Sequence, residues 1–143
     1  MNQSTDPHNL DRFVEAQAQI YNQVCEELRR GRKTGHWMWF IFPQIAGLGL
    51  SSTSMKFAIQ SREEAQAYLD HPVLGPRLIE CTEILLQIEG RTSREIFGGI
   101  DNMKFRSSMT LFANATTGDP EVFQQALNKY FDGEQDQATL DLL

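Results

Sequence analysis

The stretch Gly35-His36-Trp37-Met38-Trp39-Phe40-Ile41-Phe42-Pro43-Gln44-Ile45-Ala46-Gly47-Leu48-Gly49-Leu50 constrains this chain more than any other. It holds both tryptophans, and glycines and a proline hem it in. Residues 37–42, with Ile45 beyond, are too apolar to leave in water, yet a membrane span needs about 20 such residues. Pro43 has no amide hydrogen and ends any regular element there. Gly47 and Gly49 open backbone conformations closed to other residues. The stretch therefore reads as a buried, irregular spine against which amphipathic helices pack, and as the floor of a candidate pocket. A short extended piece within 37–42 is the one strand-like segment the sequence allows.

The remaining periodicity is helical. Leu10, Phe13, Val14, Ile20, Tyr21, Val24 and Leu28 recur at helix spacing, and Gly31 follows as a stop. Ser51 to Ser54 reads as the cap of a short helix. Ser61-Arg62-Glu63-Glu64 has the capping-box pattern, and His71-Pro72 halts the helix that follows. Leu74, Leu78, Cys81, Leu85 and Ile88 stripe a longer helix over 73–89. Thr92-Ser93-Arg94-Glu95 starts another that Gly98-Gly99 cuts short, and Asp101 is placed to cap the next. Asp119-Pro120 restarts the pattern, an N-cap followed by proline at the first helical position. Residues 139–143 suit a final short turn. These readings predict an all-α fold: one compact multi-helical domain of about six helices over 9–143, behind a flexible tail at 1–8.

A length of 143 residues suits one domain, and 41% hydrophobic with 22% charged residues is the composition of a soluble globular chain. The formal net charge of −6 argues against a general nucleic-acid binder, which needs a basic face. Arg29, Arg30, Arg32 and Lys33 do cluster at the end of the first predicted helix. There they complement the helix dipole or meet an anionic ligand near the spine. Cys25 and Cys81 read as reduced thiols, and residues 1–6 lack an apolar leader, so the expectation is a cytoplasmic protein without a membrane segment. No zinc-type Cys/His spacing, P-loop or dinucleotide fingerprint occurs, so no metal and no cofactor are expected.

Several stretches carry a resemblance. They are the Gly35 to Gln44 run, Ala65-Gln66-Ala67-Tyr68-Leu69, and His71-Pro72-Val73-Leu74-Gly75-Pro76-Arg77-Leu78. Ile96-Phe97-Gly98, Asp101, Lys104, Ser107-Ser108-Met109-Thr110-Leu111-Phe112 and Tyr130-Phe131 complete the set. Together they resemble a family of small bacterial proteins of unknown function, which genomes often label calpastatin. Nothing in the chain resembles the repeats of that animal inhibitor. The resemblance implies an all-helical single domain and brings no activity with it.

Chemistry concentrates in two places. His36, in a glycine-bounded turn, is the first acid–base candidate, because histidine titrates near neutrality; the plainer reading is a histidine bonded to backbone beside packed rings. Asp101, Lys104, Ser107 and Ser108 recur at spacings of three and four, close to one helix face near its N-terminus. An ammonium, hydroxyls and a helix N-terminus suit a phosphate or carboxylate, with Asp101 the second acid–base candidate. Trp37, Trp39 and Tyr68 are placed to stack on a flat group, or simply to form core, and Gln44 to read a polar edge. The leading expectation is a site for a small anionic ligand such as a nucleotide derivative. The alternative is a non-catalytic module that binds a protein partner through an apolar patch or the acidic residues 132–141.

Overall fold

Local capping decides where the helices begin. Thr92 Oγ1 accepts from the Glu95 amide at 3.1 Å while Glu95 Oε1 accepts from the Thr92 amide at 2.8 Å, a reciprocal box that satisfies two otherwise orphaned donors. Ser51 and Ser61 accept from the amides of Ser54 and Glu64 in the same way. The computed structural model describes residues 6–143, and ten helices span them. In chain order these are α1 (Asp11–Gln17), α2 (Tyr21–Arg29), α3 (Met38–Ile41), α4 (Ser52–Lys56) and α5 (Arg62–Asp70). Then come α6 (Leu74–Leu86), α7 (Ser93–Phe97), α8 (Asp101–Ala115), α9 (Glu121–Phe131) and α10 (Gln137–Leu142). The all-α class holds, in one domain, but the count is ten rather than about six.

Part of the excess comes from a break the periodicity hides. The expected first helix is two helices, separated at 18–20, because its halves serve different partners: α1 packs on α3 and α2 on α6. The spine supplies another, since residues 38–41 form one helical turn instead of an extended piece. Extended pairing occurs just beyond Pro43, where Ile45 and Ile59 form a lone parallel bridge. Asp101 is not the cap of α8. It is the first helical residue, Ile100 holds the cap position, and no side chain caps the helix there. Pro120 likewise stands at the cap of α9, with Asp119 one residue outside accepting from the Glu121 amide at 2.9 Å. Of the expected tail, residues 1–5 lie outside the described residues. Asp6 accepts from the amides of Leu10 and Asp11 at 2.7 and 2.9 Å.

Helix α8 is the axis, touching α5, α7, α9 and α10, and α6 closes the other side against α2, α5 and α9. Phe105 sits at the centre of the aromatic packing. Its ring meets Phe42 edge-on at 5.0 Å, stacks on Phe97 at 5.0 Å and meets Tyr130 edge-on at 6.1 Å. Such pairs add roughly 0.5–1.5 kcal/mol each beyond the area they bury. The spine therefore does enter the core, through Trp37, Met38, Ile41 and Phe42, all nearly inaccessible to solvent.

The corner between α5 and α6 is set by two residues. His71 Nδ1 accepts from the amides of Val73 and Leu74 at 3.1 and 3.3 Å, capping α6 from outside it. Gly75 lets the two helices close up, since a Cβ there would stand 2.0 Å from the Leu69 carbonyl oxygen. That neighbour is backbone and cannot swing aside. Gly75→Ala is expected to cost about 3 kcal/mol, read as a lowered midpoint in urea denaturation with an unchanged slope.

Candidate functional site: a cleft between the spine turn and helix α8

The turn that carries His36 is built on a buried carboxylate. Glu27, on the inner face of α2, has no solvent exposure. Its Oε1 accepts from the amides of Thr34 (2.7 Å) and Gly35 (2.9 Å) and from Trp37 Nε1 (3.0 Å), and its Oε2 from Gln23 Nε2 (2.8 Å). Burial opposes the charge, but the Gly35, Thr34, Gln23 and Trp37 donors outweigh it and hold the carboxyl down to about 2. One side chain thus fixes residues 34–37 and orients the first indole.

That turn faces the start of α8 across a cleft of about 490 Å³. Lys33, His36, Trp39, Asp101 and Lys104 line it, with Met38 and Phe97 as apolar wall and Gly98, Gly99 and Ile100 as the far lip. Asp101 lies between two ammonium groups, 2.8 Å from Lys33 Nζ and 3.6 Å from Lys104 Nζ. Lys33 also donates to the Gly35 carbonyl at 2.6 Å, and Lys104 lies 4.8 Å over the Trp39 ring, within cation–π range. His36 stands exposed at the mouth. Two ammonium groups and one carboxylate leave one net positive charge, beside the positive end of a 15-residue helix. The loop before α8 is braced, for Asn102 Nδ2 donates to the carbonyls of Gly98 and Gly99 at 3.1 and 2.7 Å. Gly98 takes φ +88°, a conformation that side chains rarely adopt.

Of the residues singled out in the sequence, His36, Trp39, Asp101 and Lys104 converge here. The others lie elsewhere. Trp37 is buried against Glu27, and Tyr68 lies in the core with its hydroxyl accepting from Gln17 Nε2 at 3.2 Å. Ser107 donates to the Met103 carbonyl and to Asp136, at 3.1 and 3.0 Å. Ser108 is fully buried, its hydroxyl without a partner among the described residues. Gln44 lines a separate crevice with Trp39 of only about 10 Å³, barely enough for one water. Both serines face inward because α8 is packed against α5, α7, α9 and α10. Of the basic run at 29–33, whose alternative reading was an anionic ligand near the spine, Lys33 is the member that reaches this cleft; Glu27 has no such signal, since nothing local links it to a turn eight residues on.

The Glu27 shift gives a signed pH dependence. Its folded value lies below the ordinary 4.5, so its contribution is complete above about pH 4.5 and is lost as pH falls toward 2. Urea denaturation across that range should show wild-type stability falling, with a flatter limb in Glu27→Gln. Glu27→Ala, which strands two amides and an indole N–H, should cost on the order of 3 kcal/mol at neutral pH.

Among the described residues no helix is long and apolar enough to cross a membrane, and no group of three or more His, Cys, Asp or Glu could hold a metal ion. A comparison with functionally curated proteins found no match. Among solved structures, the chain is similar to the conserved hypothetical protein Rv1873 from Mycobacterium tuberculosis. The two are 55% identical over 96% of this chain and 98% of that one, with a TM-score of 0.94. Neither likeness carries the calpastatin label or an activity. The model of the family described as "Protein of unknown function (DUF1810)" matches residues 7–143, and the chain belongs to that family.

Proposed function

We propose that the protein binds a small anionic ligand in the cleft between the spine turn and α8, a nucleotide derivative being the class that best fits. The observation that carries this reading is convergence. His36 and Trp39 arrive from one end of the chain, Asp101 and Lys104 from another, and Lys33 joins them around one hollow. Lys33 and Lys104 meet the negative group, the start of α8 adds its dipole, and the exposed part of Trp39 takes a flat or apolar portion. Asp101 spaces the two ammonium groups and is a positioning residue. His36, unencumbered at the mouth, is the group that moves a proton if the bound ligand is also transformed. Free thiols at Cys25 and Cys81 support a cytoplasmic setting.

One observation favours a second reading, a protein-interaction module. Ile100 and Met103, at and beside the lip, are 77% and 48% exposed, and apolar side chains placed so suit a partner's surface. Differential scanning fluorimetry with nucleotides, sugar phosphates and dicarboxylates separates the two. A true ligand at a hundred times its Kd stabilises by about 2.7 kcal/mol, a shift on the order of 8 °C for a domain this size. Lys104→Ala should weaken affinity about tenfold, since a charge-assisted bond is lost, and so roughly halve the shift at the same ligand concentration. An unchanged melting temperature with every compound, in wild type and variant alike, would favour the module.

A further inference from the structure

One net positive charge is little for a ligand with several phosphates, and the structure holds more beside it. Arg29, Arg30 and Arg91 line a second concavity of about 510 Å³, walled by Gly31, Ile84, Gln87 and Ile88, with Glu89 its one carboxylate. All three arginines are exposed, and none makes an ion pair within 4 Å among the described residues. Glu26 stands three and four positions before Arg29 and Arg30 on α2 without an ion pair to either within 4 Å among the described residues, and Glu95, which Arg91 influences, belongs to the capping box of α7. Arg29, in the last turn of α2, serves that helix's dipole as well; Arg91 lies past α6, whose end already has its own cation, since Lys129 donates to the carbonyls of Leu86 and Ile88.

The concavity is built rather than incidental. Gly31 adopts φ +72°, and a Cβ there would stand 2.8 Å from Arg91 Cδ, so the Arg91 chain lies directly across the glycine. Two segments run side by side at this point: Gly31 meets Arg91, and the Lys33 amide donates to the Ile96 carbonyl at 2.8 Å. They carry Arg29, Arg30, Arg32 and Lys33 on one side and Arg91 and Arg94 on the other. Arg94 reaches over the lip of the first cleft, its Nη1 3.0 Å from where a Gly99 Cβ would be. Gly31 borders the arginine cleft and Lys33 the lysine cleft. With one residue between them, their Cα atoms are at most about 7 Å apart. The basic groups thus flank two hollows that Gly31 and Lys33 bring close together along the chain, whose net charge is −6.

The geometry points to a single extended anion site: the arginine cleft receives the phosphates of an oligophosphate ligand, of the nucleoside di- or triphosphate class, whose other end occupies the lysine cleft. This rests on the reading of the lysine cleft as a ligand site. Guanidinium groups match phosphate oxygens in pairs, and three of them answer the charge that one net lysine cannot.

Isothermal titration calorimetry at fixed ionic strength tests this with orthophosphate, pyrophosphate, tripolyphosphate, AMP and ADP. Affinity should rise at least tenfold from orthophosphate to tripolyphosphate, and from AMP to ADP. The Arg29→Ala/Arg91→Ala double variant should abolish that dependence on phosphate number while leaving AMP binding within twofold. Arg62→Ala, away from both clefts, should change nothing. Equal affinity across the series, or a double variant that keeps the wild-type gradient, overturns the arginine subsite. AMP binding that survives in that case, and that is lost in Lys104→Ala, leaves the lysine-cleft reading standing. Tighter binding of a single-stranded oligonucleotide than of tripolyphosphate at matched charge would overturn the small-ligand assignment in favour of nucleic acid.

Discussion

A carboxylate removed from water must have its lone pairs met, and Glu27 meets this condition with four donors drawn from α2 and the turn that follows it. Among the described residues no cation pairs with it within 4 Å, and its hydrogen bonds stabilise the charge. The constraint propagates in both directions along the chain. Upstream it holds Gln23 against the helix; downstream it fixes 34–37, so that Lys33, His36 and Trp39 sit opposite the start of α8. Remove it, and the buried indole N–H of Trp37 loses its acceptor, at about 1–3 kcal/mol, along with the part-buried amides of Thr34 and Gly35. Both the core and the cleft depend on this one contact, because Trp37 belongs to the first and its neighbours to the second.

Packing does the rest. Phe105 contacts rings from the spine, from α7 and from α9, so the helix that carries Lys104 is clamped one residue further along the chain. Lys104 therefore emerges from a rigid element while its ammonium, lining the cleft, keeps some freedom on its long stem. The floor of the cleft is firm for the same reason, since Phe97 and Met38 are core residues whose outer edges form its wall. Asn102 serves the lip in a comparable way, tying two glycine carbonyls to the first turn of α8.

How far the sequence alone reaches follows from the range of each interaction. Caps and helix stops act within four residues, so Thr92 with Glu95, Ser61 with Glu64, and the His71-Pro72 stop were legible as strings of letters. The break at 18–20 was not, because two halves with continuous periodicity separate only to reach different helices, and periodicity cannot register a partner. Asp101 was misread as a cap because a short acidic residue before a helix suits that role locally; its real partners include Lys33, which lies 68 positions away. His36, Trp39, Asp101 and Lys104 were found together because each had a local oddity. Ser107, Ser108, Tyr68 and Trp37 shared those oddities, yet the packing took them into the interior.

Arg12 has a consequence of another kind. Its guanidinium donates to the carbonyls of His8, Asn9, Lys56 and Ala58 and pairs with Glu64 at 2.7 Å, while Glu64 in turn accepts from the Gln60 amide at 3.1 Å. The turn before α1 and the link between α4 and α5 are far apart in the chain, yet they share this single fastening. One side chain that borders neither cleft thus ties the approach to α1 to the link between α4 and α5, beside the places where Leu10, Phe57 and Ile59 enter the core.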